Sequence, residues 1–227
     1  MKFLQNIKNG FTLAEVLITL VIVGVIAAMT IPTLMNNTNK QEYVAGLKKA
    51  YSTMTQATQK IISEEGMPRG DIGGWATSKS AVYNLYKKHL SITKDCGLST
   101  GCFPQEGVKY AFNYKNPQDG NKSARQIDGI FSTMALADGM QLSVMSTYSS
   151  CSGNSGQYGA GSDNMCAIFQ IDTNGSKNPN TYGYDVFYLV LKEDGLFPAG
   201  TEVPIYCKTQ GGQACAAKVL ADNAINY

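Results

Sequence analysis

The chain has 227 residues, and 19 lysines and arginines stand against 17 aspartates and glutamates, which gives a net charge of +2. A surface this close to neutral argues against strong electrostatic capture of nucleic acid. His89 is the only histidine, so a Ser–His–Asp or Cys–His arrangement would depend on this one residue, and no phosphate-binding loop occurs. We therefore expect a structural or binding protein and not an enzyme.

The N-terminal segment joins a short basic leader to a long apolar run. The leader, residues 1–10, has two lysines and no acidic residue, whereas the run from Phe11 to Met35 holds one charge, Glu15. As a helix this run is about 37 Å long, enough to cross a hydrocarbon core of about 30 Å. Because the basic leader stays in the cytoplasm, the rest of the chain is predicted to lie outside the cytoplasmic membrane.

The order of these segments is the reverse of an ordinary secretory signal, in which cleavage follows the apolar core. Here the natural cleavage position is at Gly10, before the apolar run. Residues 10–35 resemble the N-terminal signature of type IV pilins and type II secretion pseudopilins. The resemblance implies that a membrane-embedded prepilin peptidase cuts after Gly10 and N-methylates Phe11. It also implies a filament subunit, which an inner-membrane assembly platform adds to a homo- or hetero-polymer of pilin-like chains.

Glu15 is the single charged residue in the apolar run. A carboxylate near the centre of a membrane helix costs roughly 2.5–3.5 kcal/mol, so it needs a partner. The positive charge that this segment can offer is the α-amino group freed by cleavage between Gly10 and Phe11. Glu15 could approach its own terminus or that of a neighbouring subunit, and the family resemblance implies the second. The alternative is a protonated or snorkelling glutamate in a plain membrane anchor.

Two further residues are predicted to weaken the apolar helix. Pro32 lacks an N–H and clashes with the carbonyl group of Ala28, which kinks or locally opens a helix. Gly24 is a second weak point. The resemblance implies that this region melts when pilin-like subunits pack into a filament. The alternative is a tolerated kink near the end of a membrane helix.

Beyond Met35 the sequence turns polar, and apolar residues then recur at three- and four-residue steps, as in an amphipathic helix. This stripe consists of Tyr43, Leu47, Ala50, Tyr51, Met54, Ala57, Thr58 and Ile61. Gly66 and Pro68 are predicted to end the helix. The simplest organisation is one helix over residues 11–65, embedded in the membrane to about residue 35 and amphipathic afterwards.

Residues 66–227 are predicted to form one globular head. A short helix is expected over Ser80–Leu90, and Asp138-Gly139 lies between two alternating apolar runs, which is a strong hairpin signal. The stretches CAIFQID and YDVFYLVL are rich in β-forming residues. We expect three to five antiparallel strands that bury one face against the helix, which gives an α+β fold of the pilin type.

The six cysteines all lie in the predicted head and fall into sequence-local pairs. Pairing of nearest neighbours closes short loops at low entropic cost, although other connectivities are open. The pairs would be Cys96/Cys102, Cys151/Cys166 and Cys207/Cys215. Disulfides require an oxidising compartment, which agrees with a head outside the cytoplasm. A zinc cluster is disfavoured because no CxxC occurs, and His89 is expected to be a solvated helix residue.

One segment of the head is a candidate calcium loop. Asp172, Asn174 and Ser176 alternate around Gly175, and Asp185 follows after a turn-rich stretch. Carboxylate and amide oxygens are hard ligands that suit Ca²⁺, although the glutamate at the twelfth position of an EF-hand is missing. The loop is similar to the acidic loop of major pseudopilins, which implies that calcium orders it. The alternative is an Asx-rich turn that binds no ion.

The specific role of such a subunit is open at this point among a type IV pilus, a secretion pseudopilus and a DNA-uptake pilus. An alternative is a minor pilin that acts as an adhesin or DNA-binding subunit at the filament tip. Four tyrosines in Gly/Ser/Asn-rich stretches could stack on a glycan or a base, although loop packing is commoner: Tyr148, Tyr158, Tyr182 and Tyr184. A membrane-anchored glycosidase built on paired carboxylates is a third, weaker possibility.

Overall fold

The computed structural model describes residues 11–69, 74–75, 81–116, 120, 122–153, 164–202 and 205–227. The chain divides into two units, an N-terminal unit that ends at Asn39 and a head unit that begins at Lys40. The leader with Gly10, and Tyr158 in the head, lie outside the described residues.

The first helix, α1, runs from Leu13 to Glu65. It ends where the sequence predicts, because Gly66 takes a φ of +86°, a left-handed conformation that glycine adopts without strain. The N–H of Gly66 still donates to the carbonyl oxygen of Ile62 at 3.2 Å. The helix continues through position 32, so the opening predicted at Pro32 is not seen in this single chain and stays a prediction for an assembled filament.

In the N-terminal unit, α1 is apolar around its whole circumference. The segment Leu13–Ile31 has a mean hydropathy of 2.5, and none of it is buried. Its large apolar side chains are 44–80% exposed. Among the described residues it is the one helix long and apolar enough to cross a membrane. A helix of this kind requires lipid or other helices around it.

In the head unit, one face of α1 is buried in the hydrophobic core. The buried residues of the predicted stripe are Leu47, Ala50, Met54, Ala57, Thr58 and Ile61. Val44 is buried as well, although the sequence analysis did not single it out. The half-buried Tyr51 donates its O–H to the carbonyl oxygen of Leu196 at 3.0 Å. The head therefore packs on α1 through the stripe that the periodicity predicts.

The other elements follow α1 in chain order. They are β1 (Gly74–Trp75), α2 (Ala81–His89), β2 (Ile92–Gly97), β3 (Val108–Lys109), β4 (Ala124–Arg125), β5 (Ser132–Leu136), β6 (Gln141–Thr147), β7 (Met165–Asp172), β8 (Val186–Lys192), β9 (Gly195–Pro198), α3 (Tyr206–Thr209) and α4 (Ala216–Asp222). The main sheet has the order β2-β5-β6-β7-β8-β9, with β1 paired to β6, and β3-β4 is a separate ribbon. Each pair among these described strands is antiparallel. The predicted α+β, pilin-like fold class is confirmed.

The β5–β6 hairpin turns at Asp138-Gly139, as the sequence predicts. Gly139 has a φ of +89°, and Asp138 Oδ1 accepts the N–H of Met140 at 3.2 Å. The prediction of three to five strands is too low, because the described residues already form a main sheet of seven strands. The edge strand β2 escapes a pattern-based prediction, since its side chains are mostly exposed and its pairing with β5 shifts register twice.

The main sheet buries both faces, whereas one buried face was expected. One face packs with α1 and α2, where the rings of Tyr86 and Phe169 lie 4.6 Å apart. The other face shares a second hydrophobic cluster with Phe103 and Phe131, which come from the connection between β2 and β5. All eight residues of β7 are consequently buried, as is typical of a strand covered on both sides.

Three disulfides form in the head, and they are the short-loop pairs that the sequence favours: Cys96–Cys102, Cys151–Cys166 and Cys207–Cys215. Their sequence separations are 6, 15 and 8 residues. All six cysteines are buried. The bonds tie the edge strand β2 to the connection after it, the start of β7 to the segment before it, and α3 to the start of α4.

Candidate functional site

The N-terminus of α1 is closed by a reciprocal pair of contacts between Thr12 and Glu15. Glu15 Oε2 accepts the Thr12 N–H at 2.8 Å and the Thr12 hydroxyl at 2.7 Å. The N–H of Glu15 donates back to Thr12 Oγ1 at 3.2 Å. This is the T-x-x-E capping box, which the sequence analysis missed although the motif is readable in the sequence. Glu15 thus has a partner within its own chain before any neighbour approaches.

Of the other predicted assembly residues, Phe11 and Gly24 lie on the exposed surface of the N-terminal unit. The side chain of Phe11 is 90% exposed. A Cβ atom added at Gly24 would find no described atom within 4 Å, so this side of α1 is open to another helix. Gly10, the predicted cleavage residue, lies outside the described part of the chain. The predicted assembly roles of Gly10, Phe11, Glu15, Gly24 and Pro32 stay predictions.

The candidate calcium loop connects β7 to β8 and is held against the β5–β6 hairpin. Asp172 ends β7 and lies opposite Gln141 in the β6–β7 register. Asp172 Oδ1 accepts the N–H of Asn174 at 3.2 Å. Gln141 Nε2 donates to Ser176 Oγ at 2.9 Å. Two strands and the loop therefore bring these polar side chains together.

Asp185 closes the far end of the same loop. Its Oδ1 atom accepts the N–H of Thr181 at 2.7 Å, and its Oδ2 atom accepts the N–H of Asn180 at 2.8 Å. Its own carbonyl oxygen accepts the N–H and the hydroxyl group of Thr173, each at 2.9 Å. Both carboxylate oxygens of this predicted ligand are thus engaged by backbone donors. Asp185 fixes the shape of the loop.

Four buried oxygen atoms around this loop receive no hydrogen bond from the residues that the structure describes. They are Gln141 Oε1, Asp172 Oδ2, Asn174 Oδ1 and Asn180 Oδ1. A buried polar atom without a partner is unusual and calls for a physical explanation. Carboxylate and carboxamide oxygens are ligands that Ca²⁺ prefers, so the donor set fits this ion. Of the ligands predicted from the sequence, Asp172 and Asn174 each have an oxygen without a donor in the described part of the chain, whereas Ser176 and Asp185 are engaged in hydrogen bonds.

The charged forms of both carboxyl groups of the loop, Asp172 and Asp185, are disfavoured. Burial raises the pKa of Asp172 well above its usual value, and the nearby charge of Asp185 raises it further. Burial also raises the pKa of Asp185, although the N–H groups of Thr181 and Asn180 oppose the rise. Two buried carboxyl groups near each other disfavour their charged forms. A bound cation would stabilise those charged forms.

A cavity of about 760 Å³ opens beside the loop, and two of these four residues, Gln141 and Asn174, line it. Its walls are formed by residues 42–49 of α1, the turn Asp138–Gly139, Gln141 and the segment Thr173–Lys177. Lys49 and Asp138 form an ion pair across it at 3.1 Å. The cavity gives the loop a route to solvent between α1 and the hairpin.

Several residues weighed in the sequence analysis are packed in the head. Tyr182 is fully buried and donates its O–H to Gln170 Oε1 at 3.0 Å. Tyr184 and Tyr148 are half-buried, and each packs at the edge of a hydrophobic cluster. The expectation of a solvated His89 is wrong, because its side chain is 3% exposed and its ring nitrogens face two carboxylates of α1. Helix α2 packs against the end of α1, which the local sequence does not reveal.

Comparison with known proteins agrees with the N-terminal geometry. Residues 5–31 match the family model of the prokaryotic N-terminal methylation motif. The chain is 25% identical to the type IV major pilin protein PilE1 of Neisseria gonorrhoeae over 105 residues, which cover 46% of this chain and 48% of that protein. It is 22% identical to the type IV major pilin protein PilE of the same organism over 89 residues, which cover 39% and 53% of the two chains. No solved structure gives a significant match.

The fold and the motif together define the class: a pilin-like chain with an exposed apolar helix and a disulfide-bonded head. The resemblance to type IV pilins and pseudopilins, predicted from residues 10–35, is confirmed. The chain spans about half the length of the curated relatives that it matches.

Proposed function

We propose that this protein is the structural subunit of a helical filament. In this proposal a prepilin peptidase removes residues 1–10 and methylates Phe11, and an assembly platform in the cytoplasmic membrane adds the chain to the polymer. The supporting observation is the coincidence of the methylation motif with a segment, Leu13–Ile31, that is apolar and entirely unburied. Lipid surrounds such a helix before assembly, and the helices of other subunits replace lipid in the fibre.

The proposed topology has the leader in the cytoplasm and the head outside it. The lysines of the leader favour the cytoplasmic side. The three disulfides of the head require an oxidising compartment, which supports the same orientation.

The substitution Gly10→Ala tests the filament proposal. We expect it to block cleavage, so that the intact mass retains residues 1–10 and no fibre forms. Asn9→Ala, one residue before the cleavage position, is the control and should be cleaved and assembled normally. Cleaved, N-methylated and polymerised Gly10→Ala protein would contradict the proposal.

Within this class we propose a subunit of the shaft of a type IV pilus. Both relatives are named type IV major pilin proteins, which supports a shaft position. The tip-adhesin alternative loses one of its stacking residues, since Tyr182 is fully buried. Immunogold labelling of fibres distinguishes the two, because a shaft subunit is labelled along the whole length and a tip adhesin at one end.

We also propose that the head binds Ca²⁺ at the β7–β8 loop. The support is the set of buried oxygen atoms without donors among the described residues, together with the nearby carboxyl groups of Asp172 and Asp185. When bound, the ion would neutralise this charge and hold the loop in one conformation. Thermal unfolding of the full chain in detergent should occur at a higher temperature with calcium than with a chelator. Equal transition temperatures would contradict the calcium proposal and leave the filament proposal untouched.

A further inference from the structure

The ligands that the loop offers differ from those that the sequence suggests. We propose that Gln141 and Asn180 complete the calcium site with Asp172 and Asn174. These four residues supply one carboxylate and three carboxamides. Because the total charge of this ligand set is low, the site binds calcium only at the concentrations found outside the cell. This inference rests on the calcium proposal above. In this assignment Asp185 positions the loop and does not bind the ion. Asp185 is the only carboxylate among the described loop residues 173–185.

Gln141 reaches the loop from another strand. Gln141 is 8% exposed and lies directly opposite Asp172 in the sheet. Because Nε2 is held by Ser176 Oγ at 2.9 Å, the carboxamide has a fixed orientation that leaves Oε1 buried and without a described donor. A Cβ atom added at Gly175 would lie 2.8 Å from the carbonyl oxygen of Gly139, so the loop and the hairpin are already in close contact.

Asn180 is connected to the other proposed ligands through Asp185, whose charge lies near Asp172. Its N–H donates to Asp185 Oδ2 at 2.8 Å, and its φ of +48° is a left-handed conformation that asparagine tolerates. Its Oδ1 atom is buried and free of donors within the described residues, as is that of Asn174. Asp185 therefore acts through the backbone, since it holds the segment from which the Asn180 carboxamide projects.

The composition of this ligand set determines its affinity. Each carboxylate that binds an ion directly adds attraction, and sites with few charged ligands bind Ca²⁺ with dissociation constants of roughly 10⁻⁴ to 10⁻³ M, typical of extracellular modules. Mg²⁺ demands a small octahedral shell and gives up its water reluctantly, so a set of protein oxygens contributed by two strands and a loop favours the larger Ca²⁺. The site would consequently be filled outside the cell and empty at cytosolic calcium concentrations.

The β7–β8 loop also contacts the part of α1 that belongs to the head. A Cβ atom added at Gly46 would lie 3.0 Å from the side chain of Thr173. The Tyr43 hydroxyl donates to the carbonyl oxygen of Asn178 at 3.5 Å. Calcium at this site would join α1, the β5–β6 hairpin and the β7–β8 loop into one rigid surface of the head.

Calorimetric titration of CaCl₂ into the chelator-treated full chain in detergent micelles tests the ligand assignment. We expect submillimolar to millimolar binding of calcium and no binding of MgCl₂ at the same concentrations. Gln141→Glu and Asn180→Asp each place a charge on a proposed ligand and should tighten calcium binding by roughly tenfold. Gln56→Glu, on the exposed face of α1, makes the same change away from the site and should bind as the wild type does.

The outcomes distinguish the ligand assignment, the calcium proposal and the filament proposal. Absence of calcium binding by the wild type would overturn the ligand assignment and the calcium proposal, while processing and assembly would still test the filament proposal. Wild-type affinity in both Gln141→Glu and Asn180→Asp would overturn the assignment alone. Because these variants gain affinity, an unfolded variant cannot imitate the expected result, and a cooperative unfolding transition of each variant in chelator would verify that it folds.

Discussion

Asp95 illustrates how a single residue can make the stability of the head depend on pH. The Lys87 ammonium group first, and the Tyr83 hydroxyl second, hold the pKa of Asp95 below its usual value of 3.8. The folded state therefore binds fewer protons than the unfolded state. The resulting stabilisation is fully present above the usual pKa and is lost as pH falls through the lowered value.

We expect Asp95→Asn to lower the free energy of unfolding at neutral pH by about 0.2–1 kcal/mol, since the pair with Lys87 is partly exposed and screened. As the pH falls below the usual pKa of an aspartate and through the lowered pKa of Asp95, this difference should shrink, because the carboxylate of the wild type becomes protonated. Urea unfolding at several pH values measures both effects. Asp194→Asn, in the exposed turn before β9, is the control, and a pH-independent difference for Asp95→Asn would count against the ion pair.

Residues at the loop show what the sequence could reveal about the candidate site. The alternation of Asp172 and Asn174 around Gly175 was enough to predict a cation loop. Gln141 could not be predicted, because it is brought to the loop by strand pairing across 31 positions of chain, from 141 to 172. The engagement of Asp185 by backbone N–H groups is likewise a property of the folded loop and leaves no trace in residue types.

At the level of elements, the N-terminal turn of α1 depends on the capping box. We expect Glu15→Ala to be cleaved normally after Gly10 but to give fewer fibres, because the Thr12 donors and any approaching α-amino group lose their acceptor. Loss of a cap costs about 1 kcal/mol of helix stability, so the membrane helix itself should persist. The measurements are the N-terminal mass and the yield of sheared filaments.

Thr12→Ser is the matched variant for this experiment, because it keeps the hydroxyl group that donates to Glu15 and removes only a methyl group. It should assemble as the wild type does. Fibres of Glu15→Ala at full yield would mean that the carboxylate has no part in assembly.

The contact between α1 and the sheet can be tested with two adjacent isoleucines. Ile61 is fully buried in the core, whereas Ile62 is 38% exposed. Ile61→Ala should lower the free energy of unfolding by about 2–5 kcal/mol, since it removes buried methyl groups and leaves a cavity. Ile62→Ala should change it by at most about 0.5 kcal/mol. Similar losses in thermal unfolding of the two variants would contradict the packing described for α1.

The elements with a strong periodic pattern were predictable, and those that depend on distant contacts were not. The α1 stripe, the Asp138-Gly139 hairpin and the apolar strands β7 and β8 all follow from local sequence. The edge strand β2 has few apolar residues and is defined by its pairing with β5. The burial of the second sheet face follows from the connection that carries Phe103 and Phe131, whose path no periodicity encodes.

At the level of the whole molecule, the two units differ in what surrounds them. Among the described residues the buried core begins at Val44, and the apolar side chains before it are exposed. We expect a fragment of residues 40–227 to remain folded and monomeric without detergent, because it retains the core stripe of α1 and loses the apolar helix. Size-exclusion chromatography and circular dichroism check this, with the full chain in detergent as the control. An aggregated or unfolded fragment would show that the N-terminal unit supports the head.

The disulfides of the head have a consequence for biogenesis. Each disulfide joins two cysteines that are consecutive along the chain, and no two pairs cross. When the head enters an oxidising compartment beginning with the residues that follow the membrane segment, Cys102 follows Cys96 before any other thiol is present, and the later pairs emerge in the same order. An oxidant that joins thiols as they appear would therefore make native bonds at each step, and maturation of the head would need no thiol–disulfide reshuffling.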